Sequence, residues 1–397
     1  MKRHIKIFLG LISDLLFLPL ILLSLFILKL AKKFYSNTRP TPSIFMGTMP
    51  INNWVTIRDG LKKRGFDTIF LVHRVPKHEK NIINYDTLKL IKFMPSYLQE
   101  YFIFIWANYR YDLFIMPFKG RILDRHVLLN WLELPLLKKM NKLIILNSYG
   151  GDVMTPKMTL SSKNYKYSII EGYEKSPNYS KVDENYIARN RDYCEKWADH
   201  IISALGQVEY LTQVDSYFHM RCIDTGSIKP VFDIDNDKIK ILHATNHREL
   251  KGTNYLIESV NILEKEGIEI DLVILEGKPH SEVIVLIKKS DIIADQFIIG
   301  AYGRFAIEAM AYGKPVLCYL RENLFDKNPI WRECPIVNAN PDDLKEKLKE
   351  LIINKNKRIE IGKKSRYYVE KYHSVEYVVG KLESIISELY GRNQKNN

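Results

Sequence analysis

Cysteine is scarce in this chain: four in 397 residues, at Cys194, Cys222, Cys318 and Cys334. They are scattered and form no Cys-x-x-Cys pair, which argues against a disulfide framework or a zinc site and fits a reducing compartment. Zinc-finger spacing, a basic helix-turn-helix and an aromatic RNA-binding strand are all missing, so no nucleic-acid partner is indicated. With 46% hydrophobic and 26% charged residues the composition is that of a globular protein. Its length points to two domains. What the chain has in excess is positive charge, +13. With nucleic acid set aside, that excess fits an anionic membrane surface or phosphorylated substrates.

One long apolar run stands near the N-terminus, from Ile7 to Leu28. It approaches the ~20 residues a helix needs to cross a bilayer. Asp14 is costly in hydrocarbon, and Pro19 removes a backbone donor. Lys29, Lys32 and Lys33 follow the run directly, which fits a cleaved signal peptide poorly. Lys2, Arg3 and Lys6 precede it, so the charge rule assigns no orientation. Two readings stand open. One is a transmembrane helix. The other is a re-entrant segment bent at Pro19, similar to that of phosphoglycosyl transferases, with both ends in the cytoplasm. A buried helix of the soluble part is the plain alternative. The expected location is membrane-associated, with the soluble domains on the cytoplasmic side.

After the polar stretch Ser36 to Thr41, short apolar runs alternate with helical stretches. Strands are expected at Ser43–Met46, Thr68–Val72, Leu113–Met116 and Leu143–Leu146, with a helix at Asn53–Arg64 closed by Gly65. The second half repeats the logic, with strands at Ile239–His243, Leu272–Leu275 and Val316–Tyr319 and a helix at Thr253–Lys265. A further helix is expected after Asn340, with Asn340 as N-cap, Pro341 at N1 and a stripe of Leu344, Leu348, Leu351 and Ile352. Such alternation indicates parallel sheets covered on both faces. The fold class is therefore α/β, two Rossmann-like doubly wound domains preceded by a hydrophobic membrane helix. The expected division is 1–36 for that helix, 37–232 and 233–375 for the two domains, and 376–397 for a C-terminal helix and tail packing back on the first domain. Tandem domains of this kind place a ligand cleft between them, at the carboxyl ends of the strands.

Two segments of the second half carry chemistry. HATNHRELKG (His243–Gly252) is a strand end, a polar turn and a helix start, where free amides and a positive dipole end favour anions. Arg248 and Lys251 add two cations, enough to neutralise a diphosphate; solvated turn cations are the plain alternative. GAYGRFAIEAMAYGKP (Gly300–Pro315) is a second helix start at Gly303, with Glu308 one turn inside the helix. A carboxylate there can accept two hydrogen bonds from a ribose diol. Gly313 closes that helix.

Together the two segments resemble the GT-B nucleotide-sugar glycosyltransferases of the large retaining group. There an Arg and a Lys-Gly pair grip the pyrophosphate, and a Glu-x7-Glu stretch leading into Gly-Lys-Pro holds sugar and ribose. FAIEAMAYGKPVL matches the second half of that stretch, and the resemblance runs from about Asp237 to Tyr390. It implies a donor set of Gly47, Arg248, Lys251, Gly252, Glu276, Gly300, Tyr302, Gly303, Arg304, Phe305 and Glu308. Glu308 would take the ribose, and the Gly303–Phe305 amides would face the distal phosphate and sugar. Three departures stand out. The first glutamate of the pair falls at Gly300, the Arg-to-Lys spacing is short, and the stretch from Glu276 to Asp291 has little room for a strand framing the base.

In the first half, Gly47–Trp54 (GTMPINNW) is a turn into a helix on the expected cleft edge. Asn147–Met154 (NSYGGDVM) resembles the Gly-Ser-Asp loop of the same enzymes. Asp152 there would orient or deprotonate an acceptor hydroxyl, or else organise its own turn; with Arg248 and Lys251 it makes up the expected catalytic set. Val72–Tyr111, with His73, Arg74, His78, Tyr101, Trp106 and Tyr109, would face lipid headgroups or acceptor sugar, or form only a variable basic surface. The function the resemblance implies is transfer of a sugar from a nucleotide diphosphate sugar to a polyprenyl-linked oligosaccharide or glycolipid, with retention. It implies no obligatory metal, and no Asp-x-Asp motif stands near the expected donor cleft. Two alternatives share the architecture. One is a nucleotide-sugar 2-epimerase, which the NHREL fragment resembles but whose Ser-Gly-Gly glutamate segment is missing. The other is a non-catalytic sugar-nucleotide-binding protein.

Overall fold

The computed structural model describes residues 2–34, 40–73, 86–88, 91, 93–162, 167, 183–234 and 236–396. Arg74 and His78 lie outside the described residues, as do the side chains of Lys2, Arg3, Lys32 and Lys33.

The first sheet is built from β1 (Ile44–Gly47), β2 (Thr68–Leu71), β3 (Leu113–Pro117), β4 (Leu143–Asn147), β5 (His200–Ser203) and β6 (Ser216–Tyr217). All are parallel, in the order β2-β1-β3-β4-β5-β6. The continuous apolar runs are the reason. β1, β3 and β4 are buried at every residue, which only a sheet covered on both faces permits. Helices α2 (Asn52–Lys63) and α3 (Ser96–Arg110) belong to this half.

The second sheet holds β7 (Ile239–Ala244), β8 (Ile270–Leu275), β9 (Ile292–Ala294), β10 (Val316–Cys318) and β11 (Val337–Asn338), again all parallel, in the order β11-β10-β9-β7-β8. The chain moves outward from β7 to β8 and then returns to β7's other side with β9. That reversal is a topological switch point, and the loops leaving β7 and β9 diverge there into a crevice.

Two details differ from the sequence expectation. Four strands, β5, β6, β9 and β11, were not foreseen, because runs of two to four residues are too short to carry a periodicity. The helix expected from Pro341 begins at Leu344. Asn340 and Asp343 instead close a turn, with the Asn340 amide donating to Asp343 Oδ1 (2.8 Å) and the Asp342 amide to Asn340 Oδ1 (2.9 Å). Its stripe Leu344, Leu348, Leu351 and Ile352 is buried as expected. Residues 276–291 contain one helix, His280–Lys289, and no strand. The last helix, Val375–Asn396, packs on α2. Val378, Val379, Leu382 and Ile386 join Trp54, Ile57 and Leu61 in one core, and Arg64 pairs with Glu383.

The N-terminal helix α1 (Lys2–Phe34) runs unbroken through Pro19. Asp14, fully buried, accepts from His126 Nδ1 at 2.6 Å and from the Leu128 amide at 2.7 Å. His126 Nε2 stands 2.9 Å from Glu100 Oε2. Burial pushes the His126 pKa down, but Asp14 and Glu100 on either side outweigh it and raise it to about 9. A raised histidine pKa stabilises the folded form fully below the unfolded value of ~6.5 and loses that contribution as pH rises to the folded value. Folded-state stability is therefore expected to fall between about pH 6.5 and 9, and α1 docking carries the share of that fall that Asp14 contributes, since Glu100 on α3 stays beside His126 when α1 leaves. Proteolytic release of α1 should accelerate across that window, and a His126→Gln variant should show a flat profile there. A wild-type profile that is equally flat would remove His126 from the docking.

Candidate functional site

The loops after β7 and β9 come together at the switch point, and one buried acid joins them. Asp295 directly follows β9 and is 1% exposed. Its Oδ1 accepts from Lys251 Nζ at 2.8 Å, and its Oδ2 accepts from the Gly303 amide at 3.3 Å. The first segment expected from the sequence is thus tied to the second. Lys251 Nζ also donates to the Ala244 carbonyl (3.3 Å) and lies 5.6 Å from the centre of the Phe305 ring. Beneath it, fully buried His243 links Ala294 O (2.9 Å) to Thr253 Oγ1 (2.8 Å), and burial pushes its pKa down to about 4. A neutral strut there adds no charge to the cationic site above.

Gly252 separates the short turn Arg248–Lys251 from the helix Thr253–Lys265. Its φ is +72°, and a Cβ there would stand 2.9 Å from Ile298 Cγ1. Glycine is therefore required both by conformation and by the approach of the β9 loop. Arg248 is held by Glu276, at the end of β8, at 2.5 Å; both side chains are 42% exposed. At that exposure the pair is weak and exchangeable.

Glu308 sits inside the helix Arg304–Ala311, with its side chain 9% exposed. Its Oε1 accepts from His280 Nε2 (2.8 Å) and Arg304 Nε (2.6 Å). Burial raises the Glu308 pKa, but these two donors outweigh it, and the net shift is downward. The carboxylate is therefore ionised and oriented. Gly303 begins this helix with extended backbone.

Some expected residues are placed otherwise. Tyr302 is 3% exposed, and its hydroxyl lies 3.1 Å from both Tyr368 Oη and His373 Nε2. Its side chain belongs to a buried aromatic cluster with Trp331, so only its backbone is left for a ligand. Gly300, with φ +80°, gives its place to Arg321: a Cβ there would meet Arg321 Cγ at 2.1 Å. Arg321, 1% exposed, pairs across the domains with Glu209 at 2.6 Å. Glu209 lies in the segment after β5, so loops from both sheets meet here. Gly47 ends β1, and Asp152 lies after β4, both at carboxyl ends of the first sheet. Asp152 is 1% exposed and accepts from the Tyr149 and Gly150 amides at 3.1 and 2.9 Å. Burial raises its pKa to about 6. That geometry organises the turn and turns the carboxylate away from solvent. Of the expected headgroup-facing residues, His73 pairs with Glu100 (3.1 Å), Tyr101 stacks on Phe17 (4.4 Å between ring centres), and Tyr109 is exposed.

Sequence reasoning missed Asp295, His280 and Arg221. Asp295 had a signal: an acid directly after a buried apolar run. Arg221 had none. It reaches in from the segment after β6, with Nη1 3.8 Å from where a Cβ on Gly303 would stand. Burial and the like charge of Arg304 lower its pKa. Among the described residues no group of His, Cys, Asp or Glu is placed to hold a metal.

No protein-family model matches the sequence, and no curated protein does. Solved structures do match. The chain is similar to sucrose-phosphate synthase from Thermosynechococcus elongatus, with a TM-score of 0.60 at 13% identity, over 89% of this chain and 100% of that one. It is also similar to the glycotransferase of kitacinnamycin (TM-score 0.48, 12% identity, 87% and 99% covered). A UDP-N-acetylglucosamine 2-epimerase from Listeria monocytogenes aligns with a TM-score of 0.47 at 12% identity, 88% and 96% covered. The first of these similarities extends over both sheets, and with the two parallel sheets and the crevice at their carboxyl edges it gives the chain the GT-B fold.

Proposed function

We propose that this protein is a glycosyltransferase that takes a nucleotide diphosphate sugar as donor and a membrane-linked glycan or glycolipid as acceptor, with retention at the anomeric carbon. The single observation that carries this reading is Asp295, which draws Lys251 and the Gly303 helix start together at the switch point. Lys251, Arg304 and Arg221 gather at that helix start, next to backbone amides. This is a place for a diphosphate, whose departure the fixed positive charge would assist. Glu308, ionised and held one turn inside, would accept the ribose hydroxyls, exchanging His280 or Arg304 for them. The acceptor would enter from the first sheet, and α1 would bring the enzyme to a membrane-linked substrate.

Replacing Arg248 or Lys251 by alanine is expected to weaken nucleoside diphosphate binding by about 1.5–3 kcal/mol, the range for hydrogen bonds to charged groups. The larger loss should fall on Lys251, since Arg248 is engaged only in an exposed pair. Calorimetry reads this directly, and unchanged affinity in both variants would reject the placement. The activity itself is tested by incubating labelled nucleotide sugars with membrane lipid. Label entering lipid supports transfer. Exchange at C2 of the free donor would make the protein an epimerase instead, and neither result would leave a binding protein.

A further inference from the structure

We propose that α1 is an in-plane membrane wedge: it docks by one face on the first domain and buries the opposite face in a single leaflet bearing anionic headgroups, so that both its ends and both sheets stand on the same side of the bilayer. The inference rests on the membrane-linked part of the reading above and not on the chemistry of transfer.

The docked face is a continuous helical stripe. Gly10 meets Val127, Ser13 Oγ lies 2.9 Å from Tyr101 Oη, Asp14 is held by His126 and Leu128, and Phe17 stacks on Tyr101. Ile21 and Leu25 enter the core of the first sheet, and Lys29 Nζ reaches the Lys139 carbonyl at 3.5 Å. These positions recur at the spacing of one helix face. The opposite face carries no protein partner among the described residues: Phe8, Leu16 and Phe26, for example, are 63%, 66% and 59% exposed. Most of the large apolar side chains exposed among the described residues belong to this one helix. Monomeric soluble proteins rarely leave so continuous an apolar face to water.

The docking contacts decide between spanning and lying flat. From Gly10 to Lys29 the helix runs about 28 Å at ~1.5 Å per residue, nearly the ~30 Å of the hydrocarbon core. A spanning α1 would therefore carry the wall it docks on through the whole hydrocarbon layer. That wall includes Glu100, His126 and the irregular loop from Arg121 to Leu128, and Ile21 and Leu25 share one core with Phe45 and Phe114 of the first sheet. Irregular backbone and sheet edges are not tolerated there. Lying flat removes the conflict: Asp14 faces the domain while the bare face enters the headgroup and acyl boundary. Charge selects the occupant. Basic residues stand at both ends of the apolar run, Lys2, Arg3 and Lys6 on one side and Lys29, Lys32 and Lys33 on the other. Spanning would put one set on the wrong side, whereas an in-plane helix leaves both ends at anionic headgroups, with Lys29 alone turned to the Lys139 carbonyl.

The test uses the full chain in inverted membrane vesicles, with single cysteines introduced as His4→Cys, Thr41→Cys just beyond the helix and, on the second domain, Glu264→Cys. An impermeant thiol reagent added outside should label all three. In a second arm, a fluorophore on Leu16→Cys in vesicles containing anionic phospholipid should be quenched several-fold more by bromines high on the acyl chains than by bromines at their ends. Labelling of His4→Cys only after the vesicles are opened would overturn the in-plane placement in favour of spanning. Quenching by neither bromolipid, with a doubled mass in detergent, would assign the bare face to a second copy of the chain. A protein that stays off the membrane while still gaining thermal stability from nucleoside diphosphates would overturn the wedge and leave the donor site standing.

Discussion

Replacing Asp295 by alanine is expected to lower the unfolding free energy by about 2–4 kcal/mol, the scale for breaking a buried charged pair, reduced because Lys251 keeps some contact with water. Asp295 is 1% exposed, while the Lys251 side chain is 21% exposed, so the carboxylate is the buried partner. The variant leaves two groups short at once: the ammonium of Lys251 and the amide of Gly303. For a domain of this size the loss should appear as a fall in Tm of roughly 5–15 °C. Asp295→Asn keeps an acceptor and its shape, so it should fall less than half as far. The same carboxylate lies close to the proposed diphosphate, and its removal also relieves a repulsion. The decisive readout is therefore the Tm gain that a nucleoside diphosphate confers. If Asp295 positions Lys251 and the helix start, that gain should shrink in both variants. A larger gain than in the wild type would mean that the acid only opposes the ligand.

The fold was legible because its strands are short apolar runs buried on both faces, a pattern that survives tertiary packing. The helix Arg304–Ala311 was legible because Gly303 and Gly313 bracket it and Glu308 sits one turn inside. The links between segments were not legible. Asp295 bridges residues 44 and 8 positions away, and no local pattern encodes such a partner. Arg221 arrives from the segment that follows the last strand of the first sheet. Its role depends on how the segment after β6 crosses to the second sheet. Tyr302 shows the opposite failure. Its neighbours fit the donor loop, but the residue itself packs inward against Tyr368, His373 and Trp331. The helix α1 was readable as long and apolar from its composition. The partners of Asp14, with Phe17 on Tyr101 and the burial of Ile21 and Leu25, distinguish a docked helix from a free one.

The variant Gly300→Glu places a glutamate where the donor loops that this segment resembles carry one, and it is expected to damage the protein. Two physical terms act in the same direction. Gly300 has φ +80°, a conformation that disfavours any side chain by about 1–2 kcal/mol. The space its side chain would need is filled by Arg321, whose Cγ lies 2.1 Å from the position of the new Cβ. Arg321 is buried and bound to Glu209 of the other domain, so displacing it breaks a pair worth about 3–5 kcal/mol when one partner is lost. The expected outcome is a loss of several kcal/mol in urea unfolding, with the separation between the two domains' transitions widening as their link is cut. Arg321→Ala alone should weaken the same link while leaving Gly300 unstrained, so it should cost less than Gly300→Glu. A Gly300→Glu protein as stable as the wild type would mean that Arg321 moves aside freely. If the loss is found, glycine at this position is matched to Arg321, which fills the space a side chain would need and ties that loop to Glu209.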